Sequence, residues 1–73
     1  MKFALLETVV LNHDVPEHAL RAGDLGAVVE LYEGDAVEVE FVQASGQTKA
    51  LVTLRSAELR SVTQSDILAV RSA

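Results

Sequence analysis

Seventy-three residues with a formal net charge of −5 leave room for one domain and for only a marginal hydrophobic core. With no cysteine, disulfides, thiolate chemistry and cysteine-based zinc sites are excluded, which suits a reducing compartment. Six Lys and Arg against eleven Asp and Glu argue against a general nucleic-acid binder, and 49% hydrophobic residues argue against disorder.

The chain opens Met1-Lys2-Phe3-Ala4-Leu5-Leu6, like the start of a secretory signal, but Glu7 ends the run. That is short of the ~7–15 apolar residues a signal requires, and no stretch approaches the roughly 18 residues of a membrane span. The expectation is a soluble, cytoplasmic protein. Thr8-Val9-Val10-Leu11 is a short β-prone run, closed by Asn12-His13-Asp14. A polar loop follows to Arg21, with Pro16 keeping Val15 out of the helical region.

Gly23-Asp24-Leu25-Gly26 then stands against an apolar run, Ala27 to Tyr32, which reads as the second strand. A phosphate-binding glycine motif follows a strand and opens a helix, whereas this one follows a loop and opens a strand. It therefore reads as a turn, with Gly26 letting the strand begin close to a neighbour. Glu33-Gly34-Asp35 is a hairpin loop with glycine at the left-handed position, followed by clean alternation from Ala36 to Val42. Ser45-Gly46 supplies a second turn, Thr48 to Arg55 a fourth strand, Ser56 to Leu59 one helical turn, and Arg60 to Thr63 a fifth strand.

Two successive hairpins allow the register to be checked. Centring the first on Gly34 opposes Leu31 with Val37, Val29 with Val39 and Ala27 with Phe41. Centring the second on Ser45-Gly46 opposes Val37 with Leu54, Val39 with Val52 and Phe41 with Ala50. The two turns, placed independently, send the same third-strand residues to one apolar face, and a one-residue slip would mix the faces. Val29, Leu31, Val37, Val39, Phe41, Val52 and Leu54 are the expected core, with Leu59 as a plug. This order of elements predicts an all-β fold, an SH3-like small barrel of about five strands with one short helical turn before the last. The barrel is expected over residues 1–63. Residues 64–73 are expected to be a tail, or a short helix capped by Ser65 or Asp66 and carrying Ile67, Leu68 and Val70.

On the stretches Thr8 to Leu11, Asp14 to Leu20, Gly23 to Tyr32, Glu38 to Val42 and Thr53 to Arg60, the chain resembles an uncharacterised family of short bacterial proteins. The resemblance implies an SH3-like barrel and assigns no activity. Members look like companions of small toxin-like or nuclease-like proteins, which implies an antitoxin-like role. Residues 21–32 also look like the barrel of nitrile hydratase β subunits and like ribosomal KOW modules, without the basic character of the latter.

His13, Asp14, Glu17 and His18 form the one metal-like cluster in the sequence. They sit in a loop around Pro16 without helical spacing, so a solvated loop is expected and no metal or cofactor is assigned. No spacing sets Ser45, Ser56, Ser61 or Ser65 near a histidine, and catalysis is not expected. Phe3, Tyr32 and Phe41 are the only aromatics, too few for the groove that recognises proline-rich peptides.

The outer face of the meander is more informative. The first hairpin sets Glu30 opposite Glu38, with Glu40 beside them opposite Val28 and Leu51, and Glu33 and Asp35 extend the acidic patch. Like charges directly opposed cost a few tenths to ~1 kcal/mol. The expected function is non-catalytic: an acidic accessory or antitoxin-like protein that binds a basic partner. Its docking residues would be Val28, Glu30, Tyr32, Glu38, Glu40 and Leu51. The alternatives are a KOW-like nucleic-acid or ribosome-associated module using Arg21, Lys49, Arg55 and Arg60, with Lys49 and Arg55 on the fourth strand's outward face, and a homo-oligomeric scaffold.

Overall fold

In a computed structural model, residues 2–43, 45–64 and 66 are described. Thr8–Leu11 (β1), Leu25–Tyr32 (β2), Ala36–Val42 (β3), Thr48–Arg55 (β4) and Leu59–Ser61 (β5) form one antiparallel sheet in the order β4-β3-β2-β1-β5. Two single 3-10 turns, Pro16–His18 and Ser56–Glu58, interrupt the connections. The fold is all-β, as the alternation of β-branched residues predicts, and the third and fourth strands keep their expected bounds. β2 begins two residues earlier than expected, because Leu25 and Gly26 pair with Val10 and Val9 of β1.

The β3–β4 register is the expected one: Val37 faces Leu54, Val39 faces Val52 and Phe41 faces Ala50. The β2–β3 register agrees only near the turn, where Leu31 faces Val37 and Glu30 faces Glu38. A bulge between Val28 and Glu30 then places Val28, not Val29, opposite Val39, and Ala27, not Val28, opposite Glu40. An extra residue on one strand shifts the phase of everything beyond it. Val28 is consequently fully buried (0% exposed), Val29 only half-buried, and Leu31 is 37% exposed at the hairpin end. The expected core is corrected by that exchange, and Val28 leaves the candidate docking face. Val37, Val39, Phe41, Val52, Leu54 and Leu59 are buried as expected.

Phe3, Val9, Leu11, Val15, Leu20 and Ala50 complete the core. Phe3 enters because the N-terminal segment is tied to β2: Val28 O accepts from Leu6 N–H (2.6 Å) and Val28 N–H donates to Glu7 O (3.0 Å). Val15 and Leu20 pin the polar loop from beneath, exchanging backbone bonds of 2.9 and 3.1 Å. Around Gly23-Asp24 the chain makes the expected turn. Asp24 N–H donates to Arg21 O (3.0 Å), Arg21 N–H donates to the Asp24 carboxylate (2.9 Å), and Gly23 takes a φ of +97°.

The Ile67, Leu68 and Val70 segment expected to form a short helix lies outside the described residues. Before it, Thr63 and Asp66 bond reciprocally: the Asp66 carboxylate accepts from Thr63 N–H (2.7 Å) and Thr63 Oγ1 accepts from Asp66 N–H (3.3 Å).

Candidate functional site

Strand alternation turns Val37, Val39 and Phe41 inward and therefore Glu38 and Glu40 outward. Glu30 stands directly opposite Glu38, as expected from the Gly34 turn, and Glu40 stands opposite Leu51 on β4. Hydroxyls organise two of these carboxylates. Tyr32 Oη donates to Glu38 Oε1 at 2.5 Å, Thr53 Oγ1 donates to the same oxygen at 3.4 Å, and Thr48 Oγ1 donates to Glu40 Oε2 at 2.7 Å. Thr48 and Thr53 were not expected in the site, although both lie on the strand that faces the glutamates. The Tyr32 phenol is pushed above its ordinary value of 10.0, first by its hydrogen bond to Glu38 and then by desolvation. Among the described residues, no Lys or Arg forms an ion pair with Glu30, Glu38 or Glu40. Tyr32 (41% exposed) and Leu51 (54%) supply apolar surface at the edges of the patch.

A second feature joins residues far apart in sequence. His13 Nδ1 lies 2.8 Å from Asp14 O and His13 Nε2 lies 2.8 Å from Glu58 Oε1. A carbonyl and a carboxylate both only accept, so this geometry suits the imidazolium, with a proton on each nitrogen. Accordingly, the Asp14 carbonyl and then Glu58 raise the His13 pKa above 6.5. Glu58 is lowered from 4.5, first because its Oε2 accepts from Arg55 N–H (2.7 Å), with His13 as a further cause. A raised His contributes stability below about pH 6.5 that is lost as pH rises through the folded value. A lowered Glu contributes above about pH 4.5 and loses it as pH falls through its own. The link is therefore strongest in mild acid.

Glu58 escapes sequence reading because its partner is 45 positions away, although its place at the end of Arg55-Ser56-Ala57-Glu58 marks a turn-capping carboxylate. His13, Asp14, Glu17, His18 and Glu58 line a groove of about 360 Å³ against Leu51–Leu54 of β4. Among the described residues, no group of three or more His, Asp and Glu is arranged to hold a metal.

The basic residues do not form the expected strip. The β3–β4 irregularity pairs Phe41 with Ala50 and Val42 with Thr48, leaving Lys49 as the extra residue. Lys49 lines a depression with Leu20, Asp24 and Leu25, and it is Thr48 that reaches Glu40. Arg60 is held bidentately by Asp66 at 2.7 and 2.8 Å, which raises the guanidinium and keeps the carboxyl far below its usual range. Arg21 borders a shallow depression with Asp14 and Pro16, while Arg55 opens onto the outer side of β4 opposite Ala36.

An acidic, cysteine-free, five-stranded antiparallel sheet with two single 3-10 turns defines the class of this small protein. The chain belongs to the family described as a domain of unknown function (DUF4926), which matches residues 5–61. No curated protein and no solved structure is significantly similar to it. None of the described helices is long and apolar enough to cross a membrane.

Proposed function

We propose that this chain is a non-catalytic, cytoplasmic protein–protein interaction module. Its sheet curls as an SH3-like barrel, and its acidic outer face docks a basic partner in the manner of an accessory or antitoxin-like protein. The barrel reading is supported by the role of β2, which pairs with β1 through Leu25–Ala27 and with β3 through Ala27–Tyr32. One long strand thereby serves both halves of the sheet, while a single buried cluster draws on all five strands. The absence of cysteine supports a reducing location.

The observation that carries the docking reading is the direct opposition of Glu30 and Glu38, with Glu40 alongside and, among the described residues, no Lys or Arg paired to them. One lysine at position 30 or 38 would relieve that repulsion. Retaining it suits a surface completed by a partner's cations, where complementary charge steers encounter and fixes register. Hydroxyl bonds to Glu38 and Glu40 hold those acceptors in place before binding, which lowers the ordering cost.

The test is a Glu30→Lys, Glu38→Lys double variant, assayed for stability and for affinity to the basic protein that copurifies from the native host. The free protein should stay folded with a stability within about 1 kcal/mol of the parent, because the double change replaces one like-charge opposition with another. Binding should weaken about tenfold at low salt, mostly through slower association. Equal binding by the double variant overturns the docking face. Binding of mixed RNA or DNA with a steep salt dependence transfers the case to the nucleic-acid alternative.

A further inference from the structure

β4 is a terminal strand of the described sheet, so one of its flanks faces no other strand. The residues whose backbone points that way follow from the ladder. In antiparallel pairing, opposed residues alternate between exchanging both backbone bonds and exchanging none, and the latter direct N–H and C=O away from the neighbour. Ser56 N–H donates to Asp35 O (3.1 Å), one step beyond the Ala36–Arg55 pair, while Arg55 N–H donates to the Glu58 carboxylate instead of to β3. Arg55 thus points outward, and by alternation so do Thr53 and Leu51, both exposed.

Arg55 N–H is satisfied by Glu58. Among the described residues, no backbone bond outside the ladders reaches Leu51 or Thr53. Proteins usually blunt such an edge with charge, proline, a bulge or a covering segment. Here the open stretch instead borders the groove whose far wall carries His13, Glu17, His18 and Glu58.

We propose that this groove is a strand-addition site: an extended, lysine- or arginine-bearing segment of another protein pairs with the backbone of Leu51 and Thr53. Two outward residues offer up to four main-chain bonds, which supply affinity without sequence specificity. Basic character follows from the wall, where Glu17 carries no ion pair among the described residues, and from the net charge of −5, which disfavours a second copy of this chain. The site is distinct from the Glu30–Glu38 face, sharing only Leu51 and Thr53, whose side chains lie on that face, Thr53 donating to Glu38, while their backbones lie on the edge.

The experiment is amide hydrogen exchange and chemical-shift titration with a capped hexapeptide of alternating lysine and valine. In the free protein, Leu51 and Thr53 amides should exchange faster than those of Val52 and Leu54, whose backbones face β3. Saturating peptide should slow Leu51 and Thr53 by tenfold or more, and a peptide N-methylated at alternate residues should not. Glu17→Lys should weaken the peptide about fivefold at low salt, whereas Glu30→Lys, Glu38→Lys should not block Leu51 and Thr53 protection. Thr53→Pro removes the edge donor without removing a ladder bond and should abolish the protection gain at Leu51, whose amide remains as the readout. If it fails to fold, Glu17→Lys and the N-methylated peptide carry the test. Shifts confined to Glu30, Tyr32 and Glu38, without added protection at Leu51 and Thr53, overturn the proposal while leaving the acidic face standing. No binding, or a concentration-dependent dimer that protects the same two amides, also overturns it.

Discussion

Tyr32 is where sheet geometry becomes measurable chemistry at the scale of one side chain. Its hydroxyl donates to Glu38, so deprotonation would remove a donor and set a phenolate against a carboxylate. Because it is the only tyrosine and there is no tryptophan, an ultraviolet titration reads this group alone. Its midpoint should lie above the usual value of about 10, and Glu38→Gln should bring it back towards that value. An ordinary midpoint in the parent protein would mean that the hydroxyl and Glu38 do not meet in solution. The Glu30–Glu38 opposition is legible in the sequence because the Gly34 turn, with φ +76°, fixes the pairing of the residues nearest it. The His13–Glu58 pair is not legible, since nothing local relates a loop after β1 to a turn before β5.

Among the elements, β2 separates what pattern reveals from what it conceals. β3 alternates strictly, so a slipped register would bury glutamates, and sequence alone settles its pairing with β4. In β2, Ala27-Val28-Val29 are all apolar, and either phase looks equally good until the bulge chooses Val28. Gly26, at the other end of β2, has a stricter role. A Cβ there would lie 2.5 Å from Val39 Cγ1 and 2.9 Å from Phe41 Cε1, so the missing side chain lets Phe41 pack beneath the strand. Gly26→Ala should cost roughly 1–3 kcal/mol by overpacking, read as a lower urea midpoint at unchanged slope. A neutral result would place β2 farther from β3's inner face than the packing requires.

For the molecule as a whole, no disulfide shares the task of stability, which among the described residues falls to one buried cluster. Phe41→Ala should cost roughly 3–5 kcal/mol, a large share of the stability of a domain this size. Leu31→Ala, at a hairpin end that is already exposed, should cost about 1 kcal/mol or less. Comparable losses in thermal melts of the two variants would contradict the bulge-shifted core. The sheet order has a further consequence, one of time. β1 is synthesised before the other four strands described, yet it lies between β2 and β5 and pairs Val9 with Ser61 at the far end of the family match. Hairpins β2–β3 and β3–β4 close over short loops, whereas β1–β5 must close one spanning almost the whole sheet, and the entropy of closure grows with that span. Synthesis and assembly thus run in different orders. While a ribosome is still making residues 59–61, Val9, Val10 and Leu11 have been extruded without one of the two strands that will flank them. In that interval the nascent chain is most exposed to wrong pairing.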